Sequence, residues 1–406
     1  MASQPISVST ARARILAEVA PLGSEVVVLD QALDRVLAED VLAGEPVPAF
    51  DNSAMDGYAV RSADTDAVER PVRLRVVGEA RAGRAASSAV GVGEAVRIST
   101  GAALPSGADA VVRQEDVIAE RDEITVAAAV PAGDNVRRAG EDVAAGATVL
   151  RRGVLLGPAE LGVAAAVGRA ALACGGRPTV RLVTTGDELV VPGERRQGEG
   201  VWNSNAVSVP AQARRIGADV EVAAGVRDTL EATVGAVRDG LAADVLVVCG
   251  GVSVGPHDHV KAAFAELAVA ERFWGVALRP GHPTWFGTYD GDVGRTLVFG
   301  LPGNPVSAMV TFQLFVAPAL HALQGGDPSP RTTTAILDED VAKRPGRAHA
   351  LRCRAQLQED GWHVRPSGPQ GSHVLTSMLG ADALAMLPEE SAGERAGARV
   401  AIELIG

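Results

Sequence analysis

The chain has 406 residues, more than a single hydrophobic core holds, so two to four domains are expected. Apolar residues make up 47% of it and aromatic residues only 3%, which predicts cores of Ala, Val and Leu in layered α/β architecture. A formal net charge of −12 with no basic run argues against nucleic acid as a partner, and no apolar stretch approaching the roughly 18 residues that span a bilayer is expected. Residues 1–45 read as helical, with Ser9-Thr10 as cap and Arg12, Arg14 and Glu18 set around Ile15, Leu16 and Val19. From 46 to 145, short strands are predicted at 58–61, 72–77, 110–112 and 124–126 among many turns. A helix follows over 155–167, with Pro158 near its start.

Beyond this point strand and helix alternate. Strands are predicted at 180–184, 220–224, 245–248, 272–278 and 296–299, and helices at 205–216, 230–241, 259–267 and 306–323. Such alternation implies right-handed crossovers and a mostly parallel sheet covered on both faces. After the Gly/Pro linker at 325–330, strands at 351–357 and 399–404 suggest a small β-barrel or sandwich. Cys174, Cys249 and Cys353 are odd in number and scattered, which suits a reducing cytoplasm and gives neither a disulfide framework nor a zinc site. No basic-then-apolar leader opens the sequence.

Residues 48–59, Pro-Ala-Phe-Asp-Asn-Ser-Ala-Met-Asp-Gly-Tyr-Ala, have neither helical nor strand period, yet they set Asp51, Asn52, Ser53, Asp56 and Tyr58 close together. Asp-Asn-Ser and Asp-Gly favour turns, so the polar side chains are expected to converge on a ligand or metal. The structural alternative is a polar connector before a strand. A second block, residues 98–112, joins a Thr-Gly turn at Thr100, a Pro-Ser-Gly turn and a buried strand.

Four loops leave strand carboxyl ends in the α/β region, where open parallel sheets bind ligands: 185–188, 250–258, 279–283 and 302–305. They are predicted to share one rim. Gly250, Gly251, Ser253 and Gly255 lie between a strand and a helix, where glycine lets backbone N–H groups approach a phosphate. Glu188, Asp228 and Asp258 are candidate magnesium ligands, since that ion takes a few carboxylates with phosphate oxygens and water. The alternatives are a solvated loop acid for Glu188 and helix caps for Asp228 and Asp258. Asn203 and Asn205 are candidates to read a base or ribose, but Asn205 also suits an N-cap, and the sequence does not separate the two roles. Gly303, Asn304 and Ser307 open a helix at its anion-friendly end. Arg279 and His282 flank the Pro280-Gly281 turn ahead of Pro283 and are expected to face one point.

The two polar blocks, together with Gly140-Glu-Asp142, Thr185-Gly-Asp-Glu-Leu189, Asn203-Ser-Asn205, the 250–255 glycine run with Asp258, Pro280-Gly-His-Pro283, residues 301–307 and Gln370-Gly-Ser-His373, resemble the molybdopterin molybdenumtransferase family. That family includes the bacterial molybdenum insertases and the insertase part of gephyrin. The resemblance spans nearly the whole chain in the expected order. It implies a multidomain α/β plus β fold: a helical, dimerising domain from 1–45 plus 146–175, a mixed β-rich domain over 46–145, a mostly parallel three-layer α/β domain over 176–326, and a C-terminal small β-barrel over 331–406.

The same resemblance implies the last step of molybdenum cofactor assembly. Adenylylated molybdopterin and molybdate are the substrates, Mg2+ is the cofactor and AMP is released. Arg279, His282, Ser307, Arg352 and Ser372 are implied to hold molybdate, while Glu188, Asp228 and Asp258 position the magnesium. Asp56, Thr100 and Asp142 of one subunit close over the α/β rim of the other in a homodimer. Transient contacts with the adenylylating enzyme and with molybdoenzymes are also implied. Trp202, Trp274 and Trp285 are candidates to stack on pterin or adenine, with buried packing expected for each. The chain departs from the family pattern at Arg279, His282 and Gly275, where lysines are usual, and at Thr229, where a second Asp is common. Competing readings are a molybdopterin adenylyltransferase, which leaves the first 170 residues unexplained, and a molybdopterin-binding scaffold without turnover.

Overall fold

A computed structural model describes residues 4–66, 71–84, 86–196, 198–252, 259–292 and 294–405. Ser253, Gly255 and Asp258 lie outside the described residues. The first helix, α1 (Val8–Leu16), starts slightly ahead of the predicted cap: Ser7 is the N-cap, its Oγ accepting from the Thr10 N–H at 3.1 Å. Val8, Ala11 and Ile15 recur at helical spacing and are buried against the α/β core with Phe312 and Val316.

The helical character expected of residues 1–45 stops there. The rest of the segment holds short strands and turns: β1 (Ser24–Val28) and β2 (Val41–Leu42) pair antiparallel with β12 (Ala171–Gly175) and β11 (Thr148–Leu150). The Val-rich run of β1 explains the difference, because β-branched side chains favour strands. Val27, Leu37, Leu150, Leu172 and Ala164 of α3 (Pro158–Ala166) share one core, so these separated segments pack together.

Residues 52–137 carry β3 (Asn52–Ser53), β4 (Gly57–Val60), α2 (Ser62–Thr65), β5 (Val72–Ala80), β6 (Glu94–Ile98), β7 (Ala110–Arg113), β8 (Val117–Glu120), β9 (Glu123–Val126) and β10 (Val136–Arg137). Six of these strands form one sheet in the order β7-β4-β6-β5-β9-β8, and β3 pairs with β10 at its margin.

The α/β region runs β13 (Thr179–Thr185), β14 (Leu189–Val190), β15 (Val201–Trp202), α4 (Asn205–Arg215), β16 (Asp219–Val226), α5 (Leu230–Gly240), β17 (Val245–Cys249), α6 (Val260–Glu266), β18 (Ala270–Trp274), β19 (Leu278–Arg279), β20 (Trp285–Gly291), β21 (Gly294–Leu301) and the long helix α7 (Pro305–Leu323). The sheet order is β16-β13-β17-β21-β20-β18, parallel from β16 to β21 and antiparallel beyond. Val245, Leu246, Val247 and Val248 are all buried, as expected of a strand covered on both faces. Strand β20 was not expected from the sequence. The single strand expected over 272–278 is broken at Gly275, whose φ of +86° ends β18; β19 then joins a different sheet, pairing with β24 (Ala348–Gln358).

Helix α7 corrects a second expectation. It is long and apolar enough, by length and composition, to cross a membrane, but most of it is buried as a core helix through Val306, Phe312, Phe315 and Leu320. At Phe312–Val316 it widens into a π turn. There the Arg12 Nε donates to the Leu314 carbonyl at 2.9 Å, and the same guanidinium grips Glu403 through bonds of 2.7 and 2.6 Å.

The last region holds β22 (Thr332–Leu337), β23 (Val341–Ala342), β24, β25 (Gly361–Pro366), β26 (Ala383–Leu387), β27 (Gly393–Glu394) and β28 (Arg399–Leu404). Strand β24 pairs with both β25 and β26, so β24-β25-β22-β28-β26 closes on itself as the small barrel the sequence suggests.

Candidate active site

A cleft of about 580 Å³ opens at the carboxyl ends of β13, β16, β17 and β21. Its walls include Glu188, Trp202, Asn203, Asn205, Asp228, Gly250, Gly251, Pro283, Gly303 and Asn304, so most of the rim predicted from the sequence is assembled in one place. Parallel strands impose this, because their connections to the helices all emerge on the same edge. Gly250 and Gly251 have φ of +101° and +61°, and a Cβ on Gly250 would lie 2.9 Å from the Thr185 carbonyl. Only glycine makes this turn and lets β17 run so close to β13.

The two asparagines prove distinct. Asn203 is fully engaged: its Nδ2 donates to Thr184 Oγ1 at 2.8 Å, and its Oδ1 accepts from the Ala206 N–H at 3.1 Å at the start of α4. Thr184 Oγ1 also accepts from the Gly225 N–H, so Asn203 ties α4 to β13 and β16. Asn205 donates Nδ2 to the Gly303 carbonyl at 2.7 Å, which leaves its buried Oδ1 without a partner among the described residues. Thr185 Oγ1, also buried and lining the cleft, likewise lacks a partner among the described residues. The sequence reading passed over Thr185, weighing its motif only for the acid in it.

Glu188 and Asp228 bring two carboxylates to the cleft, and among the described residues neither carboxylate has a salt-bridge or hydrogen-bond partner. Asp228 is not the cap of α5. Thr229 fills that role, its Oγ1 accepting from the Ala232 N–H, which removes the structural alternative for Asp228. The tryptophans separate as well. Trp285 is core, its Nε1 donating to Glu271 at 2.6 Å and its ring against Phe264. Trp274 donates to the Val252 carbonyl and lies under Lys261. Trp202 alone of the three stands at the cleft, 43% exposed.

The 279–283 turn is held tightly against the core. A Cβ on Gly281 would lie 2.3 Å from Thr311 Cγ2, so the turn packs directly on α7. The His282 Nδ1–H donates to the Val276 carbonyl at 2.9 Å, folding the ring back toward Trp274. Arg279 is exposed at the end of β19, and Pro283 is the one residue of this turn that lines the cleft. Ser307 is buried in the first turn of α7.

Arg352, on β24, is fully buried, with Nε donating to Ser377 Oγ and Nη2 reaching the carbonyls of Pro369 and Gly371. Nη1 has no partner among the described residues. Gln370 clamps the Arg352 backbone through both amide atoms, so the 368–372 loop bearing Ser372 is fixed to this arginine. Burial, with the nearby Arg279 charge, lowers the Arg352 pKa to about 10, which still leaves it a cation at neutral pH. It is thus a buried cation bonded to a hydroxyl and carbonyls with no carboxylate against it among the described residues, a group that favours an anion.

Asp56, Thr100 and Asp142 lie in the β-rich region and do not line the cleft. Asp56 Oδ1 accepts from the Thr100 N–H at 2.9 Å, so two of the three meet directly. The segment around Asp142 folds back on 47–48, with Gly140 N–H donating to Pro48 and Asp142 N–H to Val47. The rest of the polar block serves its own loop rather than a ligand. Asp51 accepts from the Ala139 N–H at 2.8 Å and from Arg138 at 2.6 Å, Asn52 donates to Phe50, Ser53 donates to Met55, and Tyr58 is core. The Ala139 N–H and the Arg138 guanidinium hold the Asp51 carboxyl below its ordinary pKa.

Comparison with known proteins decides the family. Residues 6–168 match the MoeA N-terminal region (domain I and II), residues 181–322 a probable molybdopterin binding domain, and residues 334–405 the MoeA C-terminal region (domain IV). A molybdopterin molybdenumtransferase of Staphylococcus aureus is 33% identical over 404 residues, covering 98% of this chain and 96% of its own. The chain belongs to the molybdopterin molybdenumtransferase family. Molybdopterin molybdenumtransferase 2 of Mycobacterium tuberculosis is 38% identical over 92% of this chain and 93% of its own. A crystal structure titled molybdopterin biosynthesis moeA protein, from Pyrococcus horikoshii, superposes with a TM-score of 0.83 at 30% identity, covering 99% of this chain and 100% of that one. The family's MoeA fold thus extends across the whole described chain, which is the multidomain α/β plus β architecture that the sequence implied. A transferase of molybdenum cofactor biosynthesis is the family's activity class.

Proposed function

We propose that this chain inserts molybdenum from molybdate into adenylylated molybdopterin and releases AMP, at the cleft on the β13–β17 rim. The observation that carries the site is the set of polar groups there with no partner among the described residues: Glu188, Asp228, Asn205 Oδ1 and Thr185 Oγ1, all on residues that line one cleft. Glu188 and Asp228 fit magnesium, being bare oxygen donors beside a turn able to take phosphate. When bound, the ion would neutralise charge on the phosphoanhydride. Asp258, outside the described residues, is the third carboxylate of this reading. Gly250 and Gly251 present backbone to the phosphates, and Trp202 offers an aromatic face to a fused ring.

Arg352 supports an oxyanion site in the last region, because a buried guanidinium whose Nη1 has no partner among the described residues is best satisfied by an anion. Ser372, Arg279, His282 and Ser307 complete that proposed set. Asp56, Thr100 and Asp142, absent from the cleft of their own chain, are proposed to reach the cleft of a second copy in a homodimer. The divisions at 1–45 plus 146–175, 46–145, 176–326 and 331–406, and residence in the cytoplasm, belong to the same proposal; three buried, unpaired cysteines accord with a reducing compartment. The test combines purified protein, adenylylated molybdopterin, molybdate and magnesium, with AMP release followed over time. Magnesium-dependent AMP release that requires molybdate is the expected result. Mixing Asp56→Asn with Asp228→Asn protein should restore part of the lost rate, and full activity of a monomer would remove the dimer from the proposal.

A further inference from the structure

Trp274 is the last residue of β18 and does not line the cleft, yet its side chain ties together three elements around it. Its Nε1 donates to the Val252 carbonyl at 3.1 Å. The Lys261 ammonium sits over its ring, 4.4 Å from the centroid, and the His282 ring lies 6.0 Å away between centroids. Val252 ends the glycine turn after β17, Lys261 is in the first turn of α6, and His282 belongs to the 279–283 turn. Gly250, Gly251, Val252 and Pro283 all line the cleft, so Trp274 grips its wall from behind.

The Gly250–Val252 turn has few anchors of its own. The Gly250 N–H donates to the Leu301 carbonyl at 3.1 Å, whereas the N–H groups of Gly251 and Val252 have no acceptor among the described residues. The Val252 side chain packs into the space left by Gly300, where a Cβ would come within 2.7 Å of its Cγ1. That contact seats the side chain; the plane of the following peptide is set by what its carbonyl binds. Among the described residues, the Trp274 indole is the one side chain that hydrogen-bonds this turn. An indole N–H only donates, so the carbonyl it meets is held in one direction.

We propose that Trp274 is a positioning residue of the cleft: its indole N–H holds the Val252 carbonyl and so presets the Gly250–Val252 turn for the phosphate of the ligand. This rests on the reading above that the turn takes phosphate. A preset turn binds its anion without having to be ordered at that moment. Lys261 and His282 use only the aromatic face, which phenylalanine supplies in part. The N–H is what tryptophan adds.

The experiment measures binding of AMP and of adenosine to the full chain by calorimetry with magnesium present, reading adenosine by displacement of AMP. The two ligands share base and ribose and differ by the phosphate, so the ratio of their affinities reports on the turn. Wild-type protein should prefer AMP. Trp274→Phe removes the N–H and keeps a ring beneath Lys261. It should lose about three- to tenfold in AMP affinity, as expected for one hydrogen bond, with adenosine affinity held within about twofold. Should Trp274→Phe fail to fold, 3-benzothienylalanine incorporated at position 274 replaces it, since sulfur takes the place of the N–H in the same ring frame. An unchanged preference for AMP in the variant overturns the proposal and leaves the functional reading standing. Equal loss of both ligands also overturns it, because Trp274 would then act by packing alone. Wild-type protein that does not prefer AMP counts against the reading of the turn itself, and the proposal falls with it.

Discussion

In the loop at 50–56 nearly every polar side chain is bound by nearby backbone or by a neighbouring arginine, whereas at the rim of the parallel strands several polar groups have no partner among the described residues. Asp51, Asn52 and Ser53 form a knot that holds β3 against β10 and the 138–142 turn. Glu188, Asp228, Thr185 Oγ1 and Asn205 Oδ1 are left without a partner among the described residues, on residues that line the cleft. The density of polar residues is high in both. What separates them is satisfaction: a loop without regular hydrogen bonding recruits side chains to pair its backbone, while a binding site withholds them for the ligand.

The largest effect that would test this contrast is on turnover. Glu188→Gln with Asp228→Asn should lower magnesium-dependent AMP release by about ten- to a thousand-fold, the range for lost electrostatic stabilisers. Thermal unfolding of the same protein should stay within about 2 °C of wild type, since no partner among the described residues is lost. A matching fall in thermal stability would make the rim carboxylates structural and erase the contrast.

A buried histidine outside the cleft provides a control. His349 is 3% exposed at one end of the barrel and neither ring nitrogen has a partner among the described residues. Burial, then the charges of Arg279, Arg352 and Lys343, push its pKa down to about 4. The unfolded chain takes up this proton near about 6.5, so the stability that neutral His349 preserves is full above that pH and is lost as pH falls toward 4. The loss should approach about 3 kcal/mol near pH 4. Urea unfolding of wild type and His349→Leu between pH 4 and 7 measures it; equal slopes in the two proteins would show that His349 finds a proton-accepting partner.

The smallest effect belongs to the knot. Asp51→Ala removes bonds to Ala139 and Arg138, but the carboxylate is 37% exposed and water screens the pair, so the cost should be about 1 kcal/mol. With its pKa lowered, Asp51 stabilises the fold at neutral pH and loses that contribution as pH falls below about 4 through the lowered value. Affinity for AMP should not change. A clear loss of AMP affinity in Asp51→Ala would mean that the knot reaches a ligand after all.

The parallel α/β strands and most of the rim were legible in the sequence because strand and helix periods alternate and because parallel topology forces the loops to one edge. Three features were not. The strand at 24–28 is marked only by Val26, Val27 and Val28, a short β-branched run that follows the stronger helical pattern of α1. Asn203 and Asn205 are the same residue type two positions apart, and only their partners distinguish a brace from a free acceptor. Trp202 and Trp285 likewise differ by burial alone, which depends on strands far away in the chain.

The grip of Arg12 on Glu403 bears on how the molecule comes to be made. Helix α1 emerges from the ribosome early, but its buried face belongs to a core completed by α7, and its arginine is anchored by β28, 391 residues later. Contacts of such separation close slowly and form after local ones. During synthesis the apolar stripe of Val8, Ala11 and Ile15 must wait without its partners, while the β-rich and α/β regions can fold as they appear. The first helix is therefore among the last pieces to be locked: chains stalled before α7 would present that stripe to chaperones and proteases, and those stalled before β28 would lack the anchor on Arg12.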